Sequence, residues 1–148
     1  MDADPTDIGE LLDRTAINDA LTRYTLAVDR AAWDELDAVF TADAQIDYTA
    51  SGGIAGAFPE VKAWLAENLF AFAKRTMHTL GQVAAVFTAD RSGAEVSAYF
   101  HNPMVISDGH GGERVVEVGG IYHHMFVRTP AGWRSRALRE EMVWTRGF

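Results

Sequence analysis

Five polar side chains in this sequence are the leading candidates for proton transfer. They are Tyr24, Asp29, Tyr48, His78 and His101. A histidine titrates near neutral pH and can take a proton from carbon when a carboxylate holds its tautomer and stabilises the imidazolium. Phenol and imidazole groups can donate hydrogen bonds to a carbonyl or to a departing hydroxyl. These residue types therefore suit the removal of water or acid from neighbouring carbon atoms without a cofactor.

Each of these side chains also has a structural interpretation. Asp29 precedes Arg-Ala-Ala-Trp and could cap a second helix, which is a common role of aspartate. His78 follows a helical segment, and a lone histidine at such a junction is more often structural than catalytic. Tyr24 falls on an apolar stripe, and His101 alternates with polar residues on a strand face that could be exposed. The residues alone leave both interpretations open.

The elements that must position these side chains begin with helices. Apolar residues recur at spacings of three to five over residues 8–28, which predicts a first helix. The same periodicity predicts a second helix around residues 33–40 and a third over residues 59–74, where Pro59 suits the first turn. Alternation of apolar and polar residues over 44–49 predicts a short strand between them.

After Arg75 the apolar period changes to about two, which is typical of strands. Four strands are predicted, with turn residues between them, at residues 77–88, 94–106, 115–128 and 133–144. Helices followed by a curled antiparallel sheet, which must bury one face against them, predict an α+β fold. We expect a single domain over residues 1–148, since neither a linker nor a repeat divides the chain.

Composition argues against several classes of partner, site and location. The chain has 148 residues with 21 acidic and 13 basic side chains, and this net charge of -8 argues against binding of nucleic acid. Cysteine is absent, so disulfides, thiolate metal sites and cysteine nucleophiles are excluded. No segment reaches the length of a membrane span, and the acidic N-terminal residues do not resemble a signal peptide. A cytoplasmic location is the expectation.

A metal site is not predicted either. His123 and His124 are adjacent, but neighbouring residues of a strand point to opposite faces and cannot readily share one ion. No other motif calls for a cofactor, and we expect none.

Several segments, taken in order, resemble one known family. They are residues 16–24 (AINDALTRY), Asp29, residues 33–44 (WDELDAVFTADA), His78, residues 119–122 (GGIY) and residues 128–134 (RTPAGWR). In this pattern the chain is similar to the SnoaL-like group of the nuclear transport factor two superfamily. That superfamily includes scytalone dehydratase, bile-acid dehydratase, lindane dehydrochlorinase and the steroid delta-isomerases. The resemblance spans nearly the whole chain, and implies a cone-shaped antiparallel sheet packed against about three helices and a homo-oligomer, a dimer or trimer.

The resemblance also implies a site. In the dehydratase and dehydrochlorinase members an Asp after the first helix faces a His at the start of the first long strand, and Asp29 and His78 match these positions. Tyr24 matches a tyrosine five residues before the Asp, and His101 resembles a further acid or His on the next strand. The four residues Tyr24, Asp29, His78 and His101 are therefore the predicted catalytic set.

Contacts to substrate are predicted for Tyr48, Tyr122, Arg139 and Trp33. The sequence departs from the lindane enzyme on the last strand, where Glu141 stands in place of the expected arginine and Arg139 lies two residues earlier on the same face. The residue that would stabilise an anion is consequently unassigned.

The leading hypothesis is a cofactor-independent lyase of dehydratase type. His78 would be the base, oriented by Asp29, and the substrate a hydrophobic cyclic compound such as a steroid, terpenoid or polyketide. An isomerase or polyketide cyclase with the same pair is the nearest alternative, because those reactions also begin by removing a proton. A third alternative is a non-catalytic domain that binds a small ligand or a protein. A binder has no need for the pair to be within hydrogen-bonding reach.

Overall fold

The structure, a computed structural model, describes residues 5–148, with side-chain surroundings from Asp7 onward. Two α-helices, two short 3-10 helices and seven strands follow one another along the chain. In order they are α1 (Pro5–Asp29), a 3-10 helix (Trp33–Ala38), β1 (Phe40–Asp47), a 3-10 turn (Thr49–Ser51), β2 (Ala55–Ala57), α2 (Phe58–Phe72), β3 (Arg75–Thr76), β4 (Thr79–Phe87), β5 (Gly93–Ser107), β6 (Glu113–Thr129) and β7 (Gly132–Arg146).

The strands form one strongly curled sheet in the order β2-β1-β7-β6-β5-β3, with β4 also paired to β5. The helices pack against it, which confirms the predicted single-domain α+β fold. One pair departs from the antiparallel pattern, because β1 runs parallel to β7. A parallel pair needs a long connection, and here residues 48–131, with α2 and five strands, lie between β1 and β7 in the chain. Neither described α-helix has the length and hydropathy to cross a membrane.

Two predicted element boundaries are wrong for local reasons. The second predicted helix is a 3-10 helix that ends at Ala38, and β1 already begins at Phe40. Ala31 has a φ of 52°, which interrupts the helical path after α1. The first long strand is broken between Thr76 and Thr79, because the backbone N–H of His78 donates to the Asp29 carboxylate and not to a neighbouring strand.

The core lies between the helices and the inner face of the sheet. Helix α1 buries one side against the sheet through Ile17, Leu21, Tyr24 and Val28. Asp13 of the same helix is buried as well, where Trp133 Nε1 donates to its carboxylate over 3.0 Å and Arg128 over 2.7 Å. Burial alone would raise the pKa of Asp13, but these donors outweigh burial and lower it.

A bulge in β6 brings its backbone close to the neighbouring strands β5 and β7. The register between β6 and β7 shifts between Gly119 and Gly120. A Cβ at Gly120 would overlap the backbone carbonyl of Glu141 and come within 2.9 Å of the Phe100 ring. Glycine therefore allows this close approach, and the bulge adds to the curvature of the sheet.

Candidate active site

The two residues matched by resemblance, Asp29 and His78, are in direct contact. Asp29 is the last residue of α1, and His78 lies in the break between β3 and β4. His78 Nδ1 is 2.6 Å from one carboxylate oxygen of Asp29, and the backbone N–H of His78 donates to the other over 2.8 Å. The capping interpretation of Asp29 is wrong, because the following 3-10 helix has Ala32 at its N-cap and no side-chain cap.

This geometry has a chemical consequence for the imidazole. A carboxylate only accepts hydrogen bonds, so the contact with Asp29 favours the tautomer with the proton on Nδ1 of His78. The lone pair of Nε2 is then free to accept a proton. Only 6% of the His78 side chain and 14% of the Asp29 side chain are exposed, so water screens the pair weakly.

His78 lines a cavity of about 590 Å³ between the helices and the inner face of the sheet. Its apolar wall comes from α2, the sheet and the C-terminal residue, namely Trp64, Leu65, Leu69, Phe72, Met104, Val118, Met142 and Phe148. Its polar groups are fewer and include Tyr24, Tyr48, Asn102, Tyr122 and Glu140. A mostly apolar cavity with a few convergent polar groups is typical of a small-molecule site.

Three tyrosines lie together in this cavity. The hydroxyl groups of Tyr24 and Tyr48 are 2.6 Å apart, and the rings of Tyr24 and Tyr122 meet edge to face at 5.4 Å. The ring of His78 is 6.5 Å from that of Tyr122. Burial raises the pKa of all three tyrosines well above the ordinary value of 10.0. They therefore remain protonated and serve as hydrogen-bond donors beside the imidazole.

Glu140 of β7 is a site residue that sequence reasoning missed. It lines the cavity, is only 8% exposed, and its Oε1 has no hydrogen-bond partner among the described residues. Burial raises the pKa of Glu140, although a hydrogen bond from Ser51 and the neighbouring His78 act in the opposite direction. A signal was present in the sequence, since Glu140 alternates with Leu138 and Met142 and so places a carboxylate on an apolar strand face.

Three predicted site residues lie away from the cavity, and their assignment is corrected. His101 points to the outer face of β5, where it contacts Glu117 over 2.9 Å and is 47% exposed. Arg139 is exposed on the outer face of β7, because the inner face of this part of the strand holds Leu138 and Glu140. Trp33 packs against Phe70, beside the core rather than in the cavity. Tyr24, Tyr48 and Tyr122 do line it.

The adjacent histidines of β6 point to opposite faces of the sheet. His123 contacts Glu141 over 2.6 Å on the outer face, whereas His124 is buried with its Nδ1 2.9 Å from the Ser135 hydroxyl. Burial, with a smaller effect of His123, lowers the pKa of His124 from 6.5 to about 3. Within residues 5–148 no group of three or more side chains is arranged to hold a metal ion.

Acid is expected to destabilise the fold through His124. The folded pKa of about 3 lies below the unfolded value of 6.5, so between these values the unfolded chain binds a proton that the folded chain does not. Stability is therefore lost as pH falls, by at most about 1.4 kcal/mol per pH unit from this residue. Urea unfolding at several pH values should show a flatter dependence for His124→Gln. His110→Gln, in an exposed loop, is the control, and equal slopes in all three proteins would contradict the assignment.

Comparison with known proteins gives the family. The model of the SnoaL-like domain family matches residues 9–139. An uncharacterized protein of Mycobacterium tuberculosis is 38% identical over 134 residues, which cover 90% of this chain and 88% of the relative. These matches confirm the resemblance found in the sequence.

Solved structures share the fold at lower identity. Hexachlorocyclohexane dehydrochlorinase LinA-type3 from Novosphingobium barchaimii superposes with a TM-score of 0.81 at 17% identity, covering 96% of this chain and 94% of the other. A candidate scytalone dehydratase from Novosphingobium aromaticivorans gives a TM-score of 0.81 at 19% identity, covering 94% and 89%. The family match extends over most of the chain, and the match to the mycobacterial relative covers 90% of it. This protein therefore belongs to the SnoaL-like domain family.

Proposed function

We propose that the protein is a cofactor-independent lyase that removes water from a hydrophobic cyclic substrate, with His78 as the base and Asp29 as its orienting partner. The observation that carries the proposal is the contact of both Asp29 oxygens with His78 at the wall of an apolar cavity. A protein that only binds a ligand has no need to hold an imidazole in this way.

The reaction can be followed atom by atom. His78 Nε2 takes a proton from the carbon next to a carbonyl, and the electrons of that C–H bond move toward the carbonyl oxygen. When the electrons return from the carbonyl oxygen, they form a double bond between the α-carbon and the β-carbon. The C–O bond to the hydroxyl group on the β-carbon then breaks. The proton on His78 passes to the departing hydroxyl, which leaves as water. Asp29 stabilises the imidazolium between the two steps.

The buried tyrosines would assist the electrophilic half of the reaction. Tyr24, Tyr48 and Tyr122 line the cavity near His78 and stay protonated because of their burial. Donors that are already positioned in a site of low polarity stabilise negative charge on oxygen more strongly than water does. They are therefore suited to donating hydrogen bonds to an enolate oxygen.

The names of the structural neighbours are consistent with an elimination. One is a dehydrochlorinase and the other a candidate dehydratase. At below 25% identity these likenesses concern the fold, so the proposal depends on the site of this chain.

The test is a screen of cyclic β-hydroxy ketones, including steroid and polyketide examples, in deuterium oxide. Mass spectrometry should find a product lacking one water molecule that accumulates only with the protein. An isomer of the substrate that has lost no water and is heavier only by the deuterium it has taken up would instead identify an isomerase. If ligands bind but none loses water or exchanges its α-proton for deuterium, the protein is a binding domain and the proposal is wrong.

A further inference from the structure

We propose that Glu140 acts as a neutral carboxylic acid that donates a hydrogen bond to the carbonyl oxygen of the substrate and so selects uncharged ketones. This inference deepens the proposed function and rests on it for the identity of the reaction. It assigns a binding role to a residue that is outside the Asp29 and His78 pair, and it names the substrate class.

Part of the hydrogen-bonding capacity of Glu140 is unused. Its side chain lines the cavity with only 8% of the residue exposed, and its Oε1 is buried without a partner in the part of the chain that the structure describes. A buried polar atom without a partner is costly, and such atoms are rare unless water or a ligand satisfies them. Because Glu140 lines the cavity, its carboxyl group is a contact point for a ligand.

The cavity supplies no lysine or arginine to compensate a charge on Glu140. None of the described residues that line it is of either type. An ionised carboxylate buried without such a cation is unfavourable, so burial raises the pKa of Glu140 and favours its protonated form. A protonated carboxyl group has an O–H and can donate to a carbonyl oxygen, whereas the ionised form can only accept.

The groups that face Glu140 come from every neighbouring element. Tyr24 of α1, Tyr48 of the segment after β1 and Tyr122 of β6 are each close enough to couple electrostatically to its carboxyl group. Asp47 of β1 raises the pKa of Glu140, while Ser51 and His78 lower it without overcoming burial. The surroundings thus contain phenols, a hydroxyl, one imidazole and one further carboxylate.

The same surroundings define the ligand. An anionic ligand would find no lysine or arginine in the cavity, and burial disfavours a charged ligand of either sign. The apolar wall suits a hydrocarbon skeleton, and the polar groups suit one oxygen that accepts hydrogen bonds. A carbonyl held by Glu140 would be activated for proton removal by His78 at the neighbouring carbon, which matches the chemistry of a ketone substrate.

The first experiment determines the protonation state of Glu140 without any ligand. Infrared difference spectroscopy between the wild type and Glu140→Gln near pH 7 should show the carbonyl stretch of a protonated carboxylic acid. The same comparison with Glu141→Gln is the control, because Glu141 is the next residue on β7 and points to the outer face. Absence of the band in the wild type would overturn the proposal.

The second experiment measures ketone selectivity with matched probes, 1-tetralone against tetralin and 5α-androstan-3-one against 5α-androstane. Quenching of tryptophan fluorescence reports binding, because Trp64 lines the cavity. The wild type should bind each ketone about fivefold to tenfold more tightly than its hydrocarbon, which is the usual contribution of one hydrogen bond. Lack of this preference, including lack of binding, would overturn the proposal.

Variants distinguish a proton donor from general polarity. Glu140→Leu should lose the ketone preference, because it has no donor. Glu140→Gln should keep the preference at every pH, since its amide group donates without titrating. In the wild type the preference should fall as pH rises through the raised pKa of Glu140, because the ionised group no longer donates. If the ketone preference of Glu140→Gln depended on pH as that of the wild type does, another group would be responsible and the proposal would be contradicted.

The experiments distinguish failure of the proposal for Glu140 from failure of the proposed lyase function. His78→Ala should keep the ketone preference and the infrared band, because neither requires turnover. If elimination is never observed but both signals are present, Glu140 selects a ligand in a binding protein. If elimination is observed and both signals are absent, the lyase assignment stands without Glu140.

Discussion

His78→Ala is expected to lower kcat/KM for the dehydration reaction by about 100-fold to 10,000-fold, the usual contribution of a positioned general base. The imidazole is held by Asp29 over 2.6 Å, and its removal leaves no other imidazole among the described residues that line the cavity. The effect should fall mainly on kcat, because the three tyrosines and the apolar wall still bind the substrate. Initial rates over a range of substrate concentrations separate the two parameters.

His101→Ala is the matched control for this variant. It removes an imidazole from the outer face of β5, where the side chain is 47% exposed and contacts Glu117. We expect its kcat/KM to stay close to that of the wild type. If His101→Ala lost activity and His78→Ala kept it, the catalytic site would lie on the outer face of the sheet and the assignment made from the cavity would be wrong.

Element types were predictable because they depend on local periodicity. The change of apolar period after Arg75 locates the start of the long strands. Of these, β5, β6 and β7 extend only one or two residues beyond their predicted ends. The break before Thr79 was not predictable in this way. It depends on a hydrogen bond from the backbone of His78 to Asp29, a contact between residues far apart in sequence.

The choice of strand face was the main source of error in the site. Alternation shows which residues share a face, but not which face is concave. On β5 the inner face holds Phe100 and Asn102, so His101 points outward. On β7 the same one-residue difference places Glu140 inside and Arg139 outside. Register shifts such as the one at Gly120 add to the curvature that decides this, and they involve contacts across three strands.

Asp29→Asn is expected to lower kcat by about 100-fold to 10,000-fold, since the amide cannot stabilise the imidazolium as a carboxylate does. Asparagine keeps one acceptor oxygen for the backbone N–H of His78, and its NH2 group can donate to Nδ1, which favours the tautomer with the proton on Nε2 and removes the basic lone pair. Because a neutral amide replaces a charged acceptor, the variant should also lose about 1 kcal/mol of unfolding free energy. Urea unfolding measures this loss, and the kinetics are read where the variant is fully folded.

The double variant Asp29→Asn with His78→Ala tests whether the pair works as a unit. If Asp29 acts through His78, the double variant should be about as slow as His78→Ala alone, because an orienting residue has no effect once the base is gone. Losses that simply multiply would show that Asp29 contributes independently of His78, through the substrate or through the position of α1. A wild-type rate in Asp29→Asn alone would remove the carboxylate from the mechanism and leave the 2.6 Å contact with a structural role.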